Sequence, residues 1–222
     1  MTTSESKKYP RTPHLPFSPG KGADDKVLDS VDHLLNVPLV LTEKMDGSNL
    51  CMTKEALFAR SHSGPPTHPS FDLAKQLHAQ VRGAIPDGLS IFGEYLYALH
   101  SIPYTDLPGY FLVFGVREDT TGKWWSWEMT KEMAKELNLP TIPYCATKIF
   151  RSDRDLQEVL EKLMLLPSNG GGKAREGHVV RISDEFTDFS KSVAKWVRKG
   201  HVQTDTHWAH QEITKNTLKN NT

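Results

Sequence analysis

At 222 residues and 25.0 kDa, the chain is long enough for one large domain or two small ones, and for a sizeable core. Its 27 Lys+Arg balance 27 Asp+Glu, which excludes a general electrostatic attraction to nucleic acid, so any such site must be local. No apolar run nears the ~20 residues of a membrane span, and no signal-peptide core is present. Cys51 and Cys145 lack metal-type spacing and fit a reduced interior, so a soluble cytoplasmic protein with no membrane partner is expected.

Residues 1–25 carry Pro10, Pro13, Pro16 and Pro19 among Ser, Thr, Lys and Gly, and read as an extended or disordered lead-in that wraps the domain. A first strand is predicted at 38–43, followed by a hairpin of 49–53 with 56–60 turned by Lys54-Glu55. Leu73, Leu77 and Val81 give 71–84 helical spacing. Apolar strands follow at 89–98 and 110–116, then an aromatic strand at 123–127 after the Thr121-Gly122 turn. Helices are predicted at 128–139 and 153–166. The second has Leu156, Val159, Leu160, Leu163 and Met164 on one stripe, with Ser152 as N-cap. Asn169-Gly170-Gly171-Gly172 reads as a loop, 176–182 and 192–199 as strands, and the chain ends in a helix from about Asp205. Strands outnumber helices and alternate irregularly with them, which predicts an α+β domain on antiparallel sheet, spanning 26–203, with a C-terminal helix at 204–222.

Charged residues inside apolar runs carry the candidate chemistry. Lys44 ends the run Pro38-Leu39-Val40-Leu41-Thr42-Glu43 and opens the turn Met45-Asp46-Gly47-Ser48-Asn49. A lysine nucleophile must lose its proton, and burial with nearby cations would favour that. Taken alone, the same pattern also describes a solvated lysine beside an Asp-Gly hairpin. Glu94, within Ile91-Phe92-Gly93-Glu94-Tyr95, is a carboxylate in an apolar strand and a candidate ribose acceptor. The strand Phe111-Leu112-Val113-Phe114-Gly115-Val116 offers an aromatic face for a purine. In Arg175-Glu176-Gly177-His178-Val179-Val180-Arg181, alternation puts Glu176, His178 and Val180 on one face and Val179 with Arg181 on the other. Glu176 is a candidate Mg²⁺ ligand, since hard divalent ions prefer carboxylate and water oxygens. The basic run from Lys191 to His201 places Lys195, Val197 and Lys199 on one face.

In this order the segments resemble the ATP-dependent RNA ligases of the covalent nucleotidyltransferase superfamily. Lys44-Met45-Asp46-Gly47-Ser48-Asn49 is similar to the family's first motif and Phe58-Ala59-Arg60-Ser61 to the arginine segment after it. Phe92-Gly93-Glu94 resembles the third motif, Phe111 to Val116 the aromatic motif, Glu176 to Arg181 the fourth and Ser192 to Lys199 the fifth. The likeness spans about 38–202. It implies an adenylyltransferase fold of antiparallel sheets flanked by helices, ATP-grasp-like, without an oligonucleotide-binding (OB-fold) domain. It further implies that Lys44 takes AMP from ATP, that AMP passes to an RNA 5′-phosphate, and that a 3′-hydroxyl then displaces it. By the same resemblance, ATP and Mg²⁺ or Mn²⁺ are the cofactors, and Glu43, Asn49, Arg60, Glu94, Phe114, Glu176, Arg181, Lys195 and Lys199 bind the nucleotide or its phosphates. The partners implied are RNA ends, for a monomer whose RNA-binding surface a partner protein could extend.

Three positions depart from the family pattern: Arg181 where lysine is usual, Gly115 where Asp is common, and Val197 where a second lysine is often found. A DNA ligase, a GTP-dependent capping enzyme, and a catalytically silent RNA-binding protein of the same fold are the alternatives. Lys123-Trp124-Trp125-Ser126-Trp127 reads as a half-buried hairpin rather than an RNA platform. His201, His207 and His210 lack the companions of a zinc site.

Overall fold

A computed structural model describes residues 8–60, 66–200 and 213–220. Two four-stranded antiparallel sheets form the frame. The first has the order β6-β1-β7-β8, built from β1 (Pro38–Lys44), β6 (Tyr144–Ile149), β7 (Gly177–Ile182) and β8 (Val193–Val197). The second has the order β3-β2-β4-β5, from β2 (Ser48–Met52), β3 (Leu57–Ala59), β4 (Leu89–Tyr95) and β5 (Phe111–Glu118). Two of the four inner strands, β1 and β4, read as near-continuous apolar runs because both of their faces are covered. Between β1 and β2 the chain leaves one sheet and enters the other within Met45-Asp46-Gly47, so the turn after Lys44 is a crossing point between sheets.

Helices cover each sheet. In α1 (Asp72–Val81), Ala74 and Val81 are buried, and in α2 (Trp127–Glu136), Met133 and Ala134 are buried; all four join a core with Leu50, Ile91 and Phe111 of the second sheet. In α3 (Asp153–Met164), Leu156 and Leu160 are buried with Leu39, Leu41 and Val180 of the first sheet. The N-cap expected of α3 is present, with Ser152 Oγ accepting from the Asp155 N–H at 3.1 Å. A single turn, α4 (Phe189–Ser192), leads into β8.

The described part of the lead-in is extended and ordered. Residues 13–20 run beside β8: Lys195 N–H donates to Pro13 O, Leu15 N–H to Lys195 O and Gly20 N–H to Val197 O, each at 2.8 Å. Leu15 is fully buried, which gives the segment an apolar anchor and satisfies an edge that would otherwise stay open. The C-terminal helix expected from Asp205 falls partly outside the described residues, and 213–220 is not helical. Instead Asn216 is buried, accepting from the Tyr104 N–H at 2.9 Å and donating to Leu96 O at 2.8 Å. His201, His207, Trp208 and His210 lie outside the described residues.

One local expectation is corrected, and one strand is added. Residues 123–127 form no strand: Trp124 makes isolated bridges to Arg117 and Phe186, and Trp127 already begins α2, capped by Ser126. The run's β-propensity loses to a side-chain cap and to burial of Trp124 and Trp127. Strand β6 has no forecast, because its burial is that of an edge and its apolar alternation is weak; pairing with β1 makes it a strand.

Candidate active site

The crossing point opens onto a cavity of about 840 Å³ lined from both sheets. Its polar end gathers around Lys44. Lys44 sits opposite Gly177 in the β1–β7 ladder, which sets its Nζ 2.5 Å from Glu176 Oε1. Gly177 must be glycine there, because a Cβ would collide with the Trp196 carbonyl of β8. Glu176 precedes the first residue of β7 and is freed from its alternation. It therefore faces the same cavity as Val179 and Arg181, not the opposite side as alternation predicts.

The turn is held at both ends. Asp46 Oδ2 accepts from the Ser101 N–H at 2.8 Å and from Ser101 Oγ at 2.5 Å, and the Asp46 N–H donates to the Tyr104 hydroxyl at 2.9 Å. Gly47 N–H donates to Glu94 Oε1 at 3.0 Å, and any side chain at 47 would press on the Tyr95 carbonyl. Glu94 pairs in register with Asn49, and both line the cavity. Lys195 enters from β8, beneath the lead-in.

Charge states follow from this packing. Burial is the largest influence on Lys44 and opposes its charge, but the Glu176 carboxylate in contact, aided by Glu94, outweighs it and holds the ammonium above its ordinary pKa. The expectation of a depressed lysine pKa is thus reversed. Burial pushes the Glu94 carboxyl up to about 8 against the opposing pull of Lys44. Lys195 moves the other way, lowered by burial and by the charge on Lys44.

The other end is aromatic. Tyr9, brought by the lead-in, stands 4.9 Å from Phe114, 5.0 Å from Phe189, 5.4 Å from Trp124 and 5.5 Å from Phe92, ring centre to ring centre. Burial pushes its hydroxyl up to about 12. Trp124 lies against Gly115, where a Cβ would come within 3.3 Å of the indole, so glycine at this departure from the family pattern makes room for the ring.

Of the residues expected in the site, Lys44, Glu43, Asn49, Arg60, Glu94, Phe114, Glu176, Arg181 and Lys195 all line this cavity. Glu43 lends it only part of its surface: its Oε2 accepts from the Asn169 N–H at 3.0 Å and lies 3.7 Å from Arg175 Nε, tying β1 to the glycine loop. Lys199 is not among the lining residues, because β8 ends at Val197 and Lys199 sits exposed in the turn beyond. The wall residues without a forecast include Tyr9, Arg11, His100, Trp124, Trp127 and Phe189. Tyr9, Leu15 and Phe17, apolar among the prolines of the lead-in, were the available signal.

A sequence profile of the RNA ligase family matches residues 37–197, and the chain belongs to that family. No curated protein matches it in sequence. Among solved structures it resembles a Naegleria gruberi RNA ligase mutant with ATP and Mn (TM-score 0.55, 14% identity, 75% of this chain and 51% of that one). It also resembles the Naegleria gruberi RNA ligase with PPi (TM-score 0.55, 15% identity, again 75% and 51%). An archaeal ATP-dependent RNA ligase gives a TM-score of 0.59 at 16% identity over 86% of this chain and 48% of that one. Such identities establish a common fold, the nucleotidyltransferase fold of RNA ligases, and the chain spans about half the length of these structures. Among the described residues no helix is long and apolar enough to cross a membrane.

Proposed function

We propose that the chain is an ATP-dependent RNA ligase that joins a 5′-phosphate to a 3′-hydroxyl through lysyl–AMP on Lys44. The observation that carries this reading is the placement of Lys44 in a cavity with carboxylates and a second lysine at one end and an aromatic wall at the other. A nucleotide fits that polarity, its base against Phe114 and its triphosphate among the charges.

In the first step Lys44 Nζ attacks the α-phosphorus. A P–N bond forms, the bond to the bridging α–β oxygen breaks, and pyrophosphate leaves with the electron pair. The Lys44 ammonium must first give up a proton to solvent, a loss that its ion pair with Glu176 Oε1, 2.5 Å away, opposes. Lys195 adds positive charge where the phosphate becomes more anionic. Glu94, protonated up to about pH 8, can hydrogen-bond a ribose hydroxyl without bringing another charge. The RNA 5′-phosphate then takes AMP from Lys44, and a 3′-hydroxyl attacks the activated phosphate to release AMP. Positioning by Asn49 and Arg60 serves all three in-line displacements.

Among the described residues no group of three or more His, Cys, Asp or Glu could hold a metal by itself. Glu176 is nonetheless suited to a hard divalent cation that draws its remaining ligands from water and phosphate oxygens. When bound, such an ion would neutralise triphosphate charge and favour the uncharged amine of Lys44.

The test is incubation with α-labelled ATP or GTP and a divalent ion, read by intact mass, followed by ligation of defined single-stranded and nicked substrates. A gain of one AMP on wild type but not on Lys44→Ala, with sealed RNA, is the expected result. An adduct with GTP alone, sealing of DNA only, or no adduct at all would overturn the reading.

A further inference from the structure

Arg181 lines the cavity, yet its guanidinium is committed elsewhere. Nη1 donates to Phe114 O at 3.2 Å, Nη2 to Trp125 O at 2.6 Å, and Nε to Ile182 O at 3.4 Å. Its central carbon lies 5.2 Å from the Phe186 ring and 6.0 Å from the Trp127 ring, and the residue is only 5% exposed. The side chain thus leaves β7 of one sheet and fastens β5 of the other.

The point it fastens is irregular. In the β4–β5 ladder Phe92 pairs with Gly115 and Gly93 with Val113, so Phe114 is the extra residue of a β-bulge. A bulge breaks the ladder, leaves its carbonyl to find another donor, and re-aims the side chain it carries. Arg181 is the donor that the Phe114 carbonyl found.

We infer that Arg181 is a positioning residue that fixes the Phe114 ring as the base platform, not a ligand of the nucleotide's phosphates. This rests on the reading of the cavity as a nucleotide site. It also gives a physical reason for an arginine at this position. A planar fork can serve two carbonyls from two segments while stacking between two rings, and a lysine ammonium offers one compact donor point and no plane. A guanidinium spent this way has few donors left for a phosphate.

Two partial ligands separate the roles: adenosine has a base and no phosphate, and tripolyphosphate has phosphates and no base. Each is used as a competitor of lysyl–AMP formation in wild type, Arg181→Lys, Phe114→Ala and the variant carrying both changes, with melting curves confirming that the variants fold. Arg181→Lys is expected to weaken adenosine competition about tenfold and leave tripolyphosphate within about twofold. The double variant should bind adenosine no worse than Phe114→Ala alone, since both changes remove one interaction. Weakened tripolyphosphate with unchanged adenosine, or additive losses in the double variant, would overturn the inference. Should Arg181→Lys not fold, Arg181→Gln, which keeps two donors on one planar group, is held to the same pattern. Failure of Phe114→Ala itself to weaken adenosine would instead refute the base-platform reading, and absence of any adduct in wild type would refute the proposed reaction.

Discussion

The two ends of the cavity are built on different physics. At the polar end, burial and neighbouring charges, that of Glu176 among them, set the charge states of Lys44, Glu94 and Lys195. At the aromatic end, Tyr9, Phe92, Phe114, Trp124 and Phe189 meet by ring contact, and each contributes a share of packing. A charged cluster fails as a unit, whereas a packed wall loses affinity in increments. The chemistry is therefore expected to be all-or-none at one end and graded at the other.

The sharpest way to break that contrast is Lys44→Ala, for which no covalent AMP should form at any ATP concentration. A residual mass shift of one AMP would place the nucleophile elsewhere. Phe114→Ala should be graded: loss of stacking worth ~1–3 kcal/mol predicts a rise of roughly 5- to 150-fold in the KM for ATP, with kcat little changed. A collapse of kcat at saturating ATP would mean that the aromatic end takes part in the chemistry.

A smaller effect concerns pH. In the folded state Glu94 keeps its proton up to about pH 8, while the unfolded carboxyl loses it near its ordinary value of 4.5. The folded state therefore binds the extra proton between these values. This stabilising contribution is complete below the unfolded value and is lost as pH rises to about 8. Glu94→Gln cannot ionise, so its melting temperature should gain on wild type by some degrees from about pH 5 to pH 8.5. Parallel curves for the two proteins across that range would show that Glu94 does not hold a raised pKa. The smallest effect is expected at Lys199, exposed beyond β8: Lys199→Ala should keep its rate of lysyl–AMP formation within about twofold. A tenfold loss would bring that turn into the site.

Much of the frame was legible because its signals are local. Apolar runs marked the inner strands β1 and β4, and Ser152 with the stripe through Leu156 and Leu160 marked α3. The tryptophan run misled because β-propensity describes a surface to be packed, and here the packing is supplied by a helix start and a cavity wall. Glu176 and Arg181, singled out in the sequence, both line the cavity, but their directions were not legible. One stands just outside its strand, and the other is turned to a bulge carbonyl 67 residues away in the chain, in the ladder of the other sheet.

By itself, the sequence determined which groups exist and in what order: a lysine at a strand end, carboxylates within apolar runs, an aromatic strand and a basic one. Those features depend on neighbours a few residues away, where periodicity and turn chemistry act. Only the tertiary structure decided that Tyr9 reaches Phe114, that Lys44 rests as an ammonium against Glu176, and that Arg181 braces one sheet against the other. Each of these depends on desolvation and contact between segments far apart in the chain, and no local pattern encodes that distance.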